Sequence, residues 1–247
     1  GCGVLASAIG MDKEVAKRLA GLAGIPVVPY LTVHSRTYPA QATALAVEVE
    51  RQLGYPCFVK PSGSGSSVGV HKVKRPEDLD AAIRDALRFD RKVLVEKAID
   101  AREIEVAVLE NSDAMGEPLC SIAGEINPRH EFYSYQAKYL DENGAALLVP
   151  APISVEQQAE VKKWAALAFT TLECEGLARV DFFLDRKTGQ FYFNEVNTLP
   201  GFTSISMYPK LWEATGIPYQ ELLSRLIDLA VRRGQEKKAL IHDFASI

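Results

Sequence analysis

The sequence predicts an α+β protein with two lobes, and three patterns in it support this fold class. Residues 1–100 alternate between helical and strand periodicity in the order α-β-α-β-β-α-β, without the regular βαβ repeat that builds a parallel sheet. From Arg102 onward strand patterns dominate, and they include a long hairpin. The pattern changes near residues 96–100, which we take as the boundary between the lobes, since 247 residues suit one large or two medium domains.

The predicted elements of the first lobe follow from their periodicity and their end signals. Segment 11–24 has apolar residues at helical spacing between an N-cap at Asp12 and a stop at Gly24. A second helix is predicted over 39–54, and a third begins at Pro76. Strands are predicted at 25–33, 55–61, 67–73 and 92–99.

The second lobe is predicted to hold strands at 103–110 and 119–126, an aperiodic segment at 129–148, a helix, a hairpin and a last helix. A long aperiodic segment in a compact domain is usually functional. Ser154 and Gln157 form a capping box, which predicts a helix start. The apolar stripe of that helix is Val161, Trp164, Ala165, Ala168 and Leu172, and the stripe of the last helix is Leu222, Leu223, Leu226 and Ala230.

The composition is that of an ordinary globular protein and argues against several partners. Hydrophobic residues make up 47% and charged residues 24%, with a net charge of -4 and a pI of about 5.7. This acidic balance gives no indication of binding to nucleic acid or to anionic membranes. No apolar run has transmembrane length.

The cysteines and histidines favour a reducing compartment over a disulfide or zinc scaffold. Cys2, Cys57, Cys120 and Cys174 are scattered without a CxxC pair, and two of them lie in apolar runs. Such positions favour buried reduced thiols, which predicts a cytoplasmic protein. The four histidines have no HxxxH spacing, so a histidine-based metal site is not expected.

The hairpin RVDFFLDRKTGQFYFNEVNTLPG (179–201) places charged and amide side chains among phenylalanines. Arg179, Asp181 and Phe183 alternate with Val180, Phe182 and Leu184, whereas Phe191, Phe193, Glu195 and Asn197 are expected to share one face of the returning strand. Asp181 is predicted to lie opposite Glu195 or within one residue of it. Two like charges about 4 Å apart cost roughly 4 kcal/mol at a surface-like dielectric, so a positive charge is expected there.

Oxygen ligands without a nearby histidine or cysteine favour Mg²⁺ or Mn²⁺ at this hairpin. Asp181, Glu195 and Asn197 provide two carboxylates and an amide, the ligand types that hard cations prefer. The alternative is a polar, solvent-facing pair of strands.

The segment KPSGSGSSVG (60–69) has the composition of a phosphate-binding loop. Its small residues let backbone N–H groups converge on an anion, and the Lys60 ammonium adds positive charge. No GK[ST] ends it, so the closer analogue is the glycine loop that covers ATP phosphates between two strands. A plain flexible hairpin loop is the alternative.

The segment VLVEKAIDARE (93–103) resembles a connector that binds a nucleotide. Glu96 and Lys97 lie within an apolar strand, and Glu103 follows, so strand backbone could read adenine while a carboxylate accepts hydrogen bonds from ribose. A strand edge followed by a solvated turn is the alternative.

Six motifs occur in order along the chain: GCGVLASAIGMDK, VKPSGSGSSVGV, VEKAIDAREIEVAVLEN, FYSYQAKY, GLARVDFFLD and NEVNTLPGFTSISMYP. With them the sequence resembles the D-alanine–D-alanine ligases, which are ATP-grasp enzymes, from Gly1 to about Arg233. The resemblance implies an ATP-grasp fold in which two α+β lobes enclose ATP. It also implies small-molecule substrates, ATP and D-alanine, and two Mg²⁺ or Mn²⁺ ions.

The resemblance implies a role for individual residues of the nucleotide site. Lys13, Lys60 and Lys138 match lysines that hold or neutralise phosphates, Glu96 and Lys97 with the backbone to Ile99 match the adenine-reading connector, Glu103 matches the ribose ligand, and Asp181, Glu195 and Asn197 match the metal ligands. The face that carries Phe191 and Phe193 is then expected to close over the nucleotide.

The implied reaction forms D-alanyl-D-alanine for peptidoglycan precursors. The carboxylate of one D-alanine attacks the γ-phosphate to give D-alanyl phosphate and ADP, and the amine of a second D-alanine then displaces phosphate. Arg179 and the backbone N–H of Gly201 match the oxyanion-stabilising pair. Ser206 and Met207 match the positions that hold the second carboxylate.

The aperiodic segment 129–148 is expected to act as a lid. Ser66 and Tyr139 match two members of a hydrogen-bonded network that closes it over the site, where it keeps water from the acyl phosphate. A tyrosine after Lys138 is also typical of the dipeptide-forming members, so the predicted product is D-Ala-D-Ala rather than D-alanyl-D-lactate.

The sequence departs from the resemblance at its start, because it contains no match for the family's N-terminal domain. We divide it into a central ATP-grasp domain at 1–97, a C-terminal ATP-grasp domain at 98–235 and a tail at 236–247. We expect this chain alone not to sustain full turnover. We also expect it to expose apolar surface that the N-terminal domain would cover. The family is often dimeric, so a homodimer is also an expectation.

Three other functions stay open. They are another ATP-grasp carboxylate–amine ligase of glutathione-synthetase type, a nucleotide-binding module without catalysis, and a metal-dependent phosphohydrolase. The motifs SYQAKY and PGFTSISMYP argue against the first, and an oxyanion-type arginine at 179 argues against the second. No water-activating base stands beside the acidic hairpin, which argues against the third.

Overall fold

A computed structural model describes residues 1–113, 115–128, 145–203 and 205–240. The α-helices within them are α1 Val4–Met11, α2 Lys13–Leu22, α3 Tyr38–Gln52, α4 Leu79–Ala86, α5 Val155–Thr171, α6 Met207–Thr215 and α7 Tyr219–Lys238, and a 3₁₀ turn spans Pro76–Asp78. The strands are β1 Tyr30–His34, β2 Cys57–Pro61, β3 His71–Val73, β4 Lys92–Lys97, β5 Ala101–Leu109, β6 Leu119–Pro128, β7 Ala145–Leu148, β8 Leu177–Asp185 and β9 Phe191–Asn197.

The first sheet has four antiparallel strands in the order β1-β4-β2-β3. Its inner strand β4 is apolar at Val93, Leu94 and Val95, all of them fully buried. Helices α3 and α4 cover the sheet and share a core with it, to which Val49 and Ile83 contribute. The predicted helices at 39–54 and from Pro76 onward, and the strand at 92–99, are thus confirmed within a few residues.

The second sheet has five antiparallel strands in the order β7-β6-β5-β8-β9. Helix α5 lies on one face, and its Ser154–Gln157 capping box is confirmed. Helices α6 and α7 cover the other face, where Tyr208 donates a hydrogen bond to the carbonyl of Val108 at 2.9 Å. Two layers of helix therefore enclose this sheet.

Helices α1 and α2 pack on the second sheet although they precede the first sheet in sequence. Ala6, Ala16 and Ala20 belong to the core of the five-stranded sheet, and α2 contacts β9. The predicted N-cap is confirmed, since a carboxylate oxygen of Asp12 accepts from the N–H groups of the next turn. The division of the chain at residue 97 stays a prediction, and β4 ends there.

Residues with a left-handed backbone shorten the strand predicted at 67–73. Ser66, Ser67 and Gly69 have φ values of 53°, 60° and 70°. A β-strand requires negative φ, so the chain turns through these residues and only His71–Val73 pairs with β2. The prediction for the first part of this strand is wrong.

Three further elements differ from the sequence-based expectation. Residues 145–148 form strand β7 against β6, so the end of the segment predicted as an aperiodic loop is wrong, while 129–144 lie outside the described residues. Helix α6 was not predicted. In α7 the fully buried positions are Leu222 and Leu229, whereas Leu223 and Ala230 are exposed.

A bulge in β9 changes which side chains share a face of the hairpin. Asp181 pairs with Glu195 as predicted, but Phe182 pairs with Phe193, so β9 carries one extra residue between them. This extra residue shifts the alternation, and Val196 joins Phe193 in the core. The expectation that Phe191 and Phe193 share a face with Glu195 and Asn197, and that they close over a nucleotide, is wrong.

The described residues include an exposed apolar helix surface and four cysteines without a disulfide. Helix α1 exposes Val4, Leu5 and Met11, in line with the expected exposed apolar surface. All four cysteines are free thiols. Within 1–113, 115–128, 145–203 and 205–240, no helix combines the length and hydropathy needed to cross a bilayer.

Candidate nucleotide and metal site

Two lysines and one glutamate form a buried cluster between the sheets, which we call the lysine cluster (Lys17, Lys60 and Glu96). The ammonium of Lys60 on β2 lies 2.6 Å from Oε1 of Glu96 on β4, and that of Lys17 on α2 lies 3.0 Å from Oε2. Burial alone raises the pKa of Glu96, but the two ammonium groups outweigh it and lower that pKa to about 2. Glu96 is therefore a carboxylate throughout the neutral range.

Lys17 also connects the lysine cluster to the second sheet. Its ammonium donates a hydrogen bond to the carbonyl of Phe193 on β9 at 3.1 Å, and the side chain has no exposed surface. Burial lowers the pKa of Lys17, and the charge of Glu96 opposes that shift. Sequence reasoning missed this residue, although helical spacing places it four positions after Lys13 on the same side of α2.

Lys60 lies between aromatic rings of both sheets. Its ammonium is 5.6 Å from the ring centroid of Phe58 on β2 and 5.2 Å from that of Phe183 on β8.

The predicted adenine-reading connector begins at Glu96. It continues through Lys97, which is exposed at the end of β4, to Ile99, which is half-buried.

Three carboxylates stand side by side across neighbouring strands, and we call them the acidic row (Glu105, Asp181 and Glu195). Asp181 on β8 is the register partner of Glu105 on β5 and of Glu195 on β9. Directly opposite residues have Cβ atoms about 5 Å apart, so the three charges are close. Sequence reasoning missed Glu105, although it alternates in phase with Glu103 along an apolar strand.

Arg179 neutralises part of the acidic row. Its guanidinium donates two hydrogen bonds of 2.8 Å to the carboxylate of Asp181 and lies 3.1 Å from Glu105. Burial lowers the pKa of Arg179, but Asp181 and Glu105 outweigh it, so the pKa is raised. The side-chain amide of Asn197 donates to Asp181 at 2.9 Å.

Lys13 joins the other end of the acidic row to the glycine-rich loop. Its ammonium lies 3.1 Å from Glu195 and donates to the carbonyl of Ser64 at 2.8 Å. The positive charge expected at the hairpin is thus supplied in part by the chain itself, through Arg179 and Lys13.

The glycine-rich loop is fixed at its base by a buried serine. The hydroxyl of Ser62 donates to Asp12 at 2.7 Å, and the carbonyl of Ser62 accepts from the N–H of Lys13 at 3.0 Å. Gly63 donates its N–H to Asp90 at 2.6 Å. The loop is therefore attached to the start of α2, and Ser66 lies in its left-handed turn.

Gly201, Ser206 and Met207 meet at the start of α6. A Cβ at Gly201 would lie 2.7 Å from the hydroxyl of Ser206, so a larger residue there would require that hydroxyl to rotate away. That hydroxyl accepts from the N–H of Thr203 at 3.1 Å. The Met207 side chain is buried and packs against Gly124.

The donor set at the hairpin fits a hard divalent cation. Asp181, Glu195 and Asn197 occupy neighbouring positions on β8 and β9, and their side chains include the carboxylate and amide oxygens that such cations prefer. Among the described residues, no group of three or more His, Cys, Asp or Glu side chains has the arrangement of a complete metal site. A metal here would need further ligands, such as the water and phosphate oxygens that Mg²⁺ usually keeps.

The sequence matches the family described as D-ala D-ala ligase C-terminus over residues 19–228. It is 55% identical to D-alanine–D-alanine ligase A of Bradyrhizobium diazoefficiens, in a match that covers 100% of this chain and 65% of that protein. It is 54% identical to the D-alanine–D-alanine ligase of Heliobacterium modesticaldum, over 96% of this chain and 64% of that protein.

The chain belongs to the D-alanine–D-alanine ligase C-terminal family.

Solved structures of such ligases share the fold of this family member. The crystal structure of the VanG D-Ala:D-Ser ligase from Enterococcus faecalis superposes with a TM-score of 0.81 at 37% identity, covering 92% of this chain and 64% of that one. The D-alanine–D-alanine ligase from Coxiella burnetii gives 0.80 at 35% identity, covering 96% and 61%. The predicted α+β, ATP-grasp fold and the resemblance to this family are confirmed.

The chain spans slightly less than two thirds of the first two of these relatives, 65% and 64% of their lengths. Of the residues that sequence reasoning assigned to this ligase-family site, the structure brings together Lys13, Lys60, Glu96, Arg179, Asp181, Glu195 and Asn197. Gly201, Ser206 and Met207 form a separate group at the start of α6, and Glu103 lies on β5 beside Phe183 of β8. Lys138 and Tyr139 lie outside the described residues.

Proposed function

We propose that this chain carries the nucleotide site and the D-alanine sites of an ATP-dependent D-alanine–D-alanine ligase. The observation that supports it best is the linkage of both sheets by lysines, from Glu96 through Lys17 to the backbone of β9 and from the glycine-rich loop through Lys13 to Glu195. Family membership and relatives at 54–55% identity with that activity in their names support the same proposal.

ATP is proposed to lie between the two sheets. Lys13 and Lys60 then face its phosphates together with the glycine-rich loop, whose N–H groups suit an anion. Adenine would be read by Glu96, by Lys97 and by the backbone up to Ile99, and ribose by Glu103. Lys138 is proposed as a further phosphate contact.

Two Mg²⁺ or Mn²⁺ ions are proposed to be held by Asp181, Glu195 and Asn197. When bound, they would neutralise phosphate charge during the transfer. Asp181 is already oriented by Arg179 and Asn197, which is how ligating carboxylates are usually held in metal sites.

The chain's own residues are proposed to position two D-alanines and to stabilise charge. The first D-alanine presents its carboxylate to the γ-phosphate, and the resulting acyl phosphate is attacked by the amine of the second. Arg179 and the N–H of Gly201 would stabilise the oxyanion. The second carboxylate would contact the Ser206 hydroxyl and the backbone N–H of Met207, because the Met207 side chain is buried.

Ser66 and Tyr139 are proposed to close the lid over the site. We further propose the division into domains 1–97 and 98–235 followed by a tail, a cytoplasmic location in line with the four free thiols, and a homodimer.

A second candidate differs only in the second substrate. The VanG D-Ala:D-Ser ligase is 37% identical to this chain, so D-serine is a substrate to test beside D-alanine and D-lactate. The higher identity to proteins named D-alanine–D-alanine ligase supports D-alanine.

The test incubates the chain with ATP, Mg²⁺ and D-alanine, with D-serine or D-lactate as competitors, and follows phosphate release and products by mass spectrometry. We expect D-Ala-D-Ala to form in step with phosphate but below full turnover. If no dipeptide forms, Mg²⁺-dependent ATP binding is measured in Glu195→Gln, with the exposed Glu213→Gln as matched control. Loss of binding in Glu195→Gln alone would indicate a sound nucleotide site that needs the rest of a longer protein for turnover. A folded chain that binds no ATP would refute the proposal.

A further inference from the structure

Lys17 is a fully buried lysine to which no motif of the sequence assigns a role. Lysines are almost never fully buried unless they are paired. Its two partners belong to different sheets: the Glu96 carboxylate of β4 at 3.0 Å and the Phe193 carbonyl of β9 at 3.1 Å. Removing one partner of a buried ion pair is strongly destabilising, so this contact constrains both strands.

We propose that Lys17 is a positioning residue of the nucleotide site, because its ammonium fixes Glu96 at the adenine connector and the β9 backbone beside Glu195 in one arrangement. The inference deepens the proposed function and rests on it. Lys17 contacts no substrate in this assignment and acts through Glu96 and β9.

The location of the two contacts explains why one lysine affects both halves of the site. Glu96 directly precedes the connector Lys97–Ile99, and Phe193 stands two residues before Glu195, next to the bulge in β9. A bulge leaves a residue outside the regular ladder, and beside it the N–H of Phe193 donates to the carbonyl of Pro26 at 2.8 Å while its carbonyl accepts from Lys17. The hydrogen bond from Lys17 supplies a fixed point at that position. A displacement of about 1 Å in a reacting geometry is enough to reduce a rate strongly.

The charges that face Glu96 determine what the loss of Lys17 does. Among the described residues these are Lys60 from β2 and Lys17 from α2, while Tyr30 on β1 is its cross-strand neighbour, and Glu195 acts on Lys17. The folded-state pKa of Glu96 is depressed, so its carboxylate is ionised at neutral pH and is protonated only as the pH falls towards about 2. Without Lys17, burial is opposed by Lys60 alone, and the pKa of Glu96 rises.

The experiment compares Lys17→Met with Arg18→Met. Arg18 is an exposed cation on the same helix, and its side chain pairs with Glu14. The dissociation constant of ATP with Mg²⁺ is measured by calorimetry from about pH 4 to about pH 8, the range from the ordinary carboxyl pKa to that of a carboxyl raised by burial. The ratio of variant to wild-type constants is taken at each pH, because titration of ATP itself then cancels. Thermal unfolding confirms that each variant is folded.

We expect ATP affinity to fall about 10-fold in Lys17→Met at the highest pH and further as the pH is lowered, a size typical of residues that orient a ligand-binding group. Arg18→Met is expected to keep the wild-type affinity at every pH. In the double variant Lys17→Met/Glu96→Gln the additional pH dependence is expected to disappear, because no carboxyl group remains there to titrate.

A Lys17→Met protein that binds ATP like the wild type overturns the proposal, and so does a loss that is the same at every pH, which a merely structural lysine would give. Either result leaves the proposed function intact, since the wild-type chain still binds ATP. Failure of the wild type to bind ATP is a different outcome and refutes the proposed function itself.

Discussion

The lysine cluster and the acidic row are two buried ionic groups of opposite composition on either side of the same site. The lysine cluster places two ammonium groups around the single carboxylate of Glu96. The acidic row places three carboxylates in line, with Arg179 and Lys13 against them. The formal charges of the named groups sum to +1 in the first case and to -1 in the second.

Burial also differs between the two groups. The Lys17 and Glu96 side chains are 0% and 2% exposed, whereas exposure along the acidic row rises from 3% at Glu105 to 29% at Glu195. The lysine cluster is thus a fixed support, and the acidic row opens towards its Glu195 end. A cation-rich support suits phosphate, and an accessible carboxylate suits a metal ion, so the two groups have the charges that the proposed nucleotide and metal site requires.

The largest effect is expected when the buried cation of the acidic row is removed. In Arg179→Met, Glu105 and Asp181 lose their shared guanidinium, and breaking a buried pair costs about 3–5 kcal/mol. If Arg179 also stabilises the oxyanion, turnover at saturating ATP should fall about 10²-fold to 10³-fold. Urea unfolding and dipeptide synthesis measure the two effects separately.

Arg102→Met is the matched control for this variant. Arg102 makes an equally bidentate pair with Glu125 on the same sheet, at 2.8 and 2.6 Å, outside the proposed site. We expect it to lose stability while the folded protein keeps its turnover. Equal losses of turnover in both variants would mean that Arg179 matters only for stability.

Some residues of these two groups could be predicted from the sequence and others could not, for physical reasons. Strict alternation on β8 placed Arg179 and Asp181 on one face, since that strand has no irregularity before Asp181. Strict alternation placed β9 wrongly because the bulge interrupts it, and its trace in the sequence is the pair of successive polar residues Asn194 and Glu195 between apolar Phe193 and Val196. For that reason Phe193 was assigned to the wrong face while Glu195 was paired correctly.

Lys17 and Glu105 were missed because their burial depends on tertiary partners. A lysine four residues after Lys13 reads as a solvated helix position, and only the carboxylate of Glu96, from a strand distant in sequence, makes its burial favourable. Glu96 could be located without knowing its tertiary partners, because it lies within a recognisable sequence motif. The motif does not reveal which groups surround the residue in the fold.

Removing a cation from the lysine cluster should change ATP affinity rather than turnover. In Lys60→Met we expect ATP affinity to fall about 10–100-fold, the range of a lost hydrogen bond to a charged group, while turnover at saturating ATP changes much less than in Arg179→Met. The exposed Lys72→Met on the adjacent strand β3 is the control and should bind ATP normally. ATP titrations and saturation kinetics give both values, and a purely turnover-related loss in Lys60→Met would contradict the phosphate-binding role of the cluster.

The smallest effect is expected in the loop that follows Lys60. Gly69 has φ +70°, and an added Cβ would lie 2.6 Å from the Phe89 ring and 2.9 Å from Pro61, whereas Gly54 has φ +68° with nothing within 4 Å. Gly54→Ala should therefore cost only the backbone penalty of about 1–2 kcal/mol. Gly69→Ala should cost about 1 kcal/mol more, because the half-exposed Phe89 ring can move aside but the proline cannot. Urea unfolding of the two variants gives the difference directly. Equal values would mean that the loop shifts freely, and the glycine-rich loop could not then hold phosphate in a fixed position relative to Lys60.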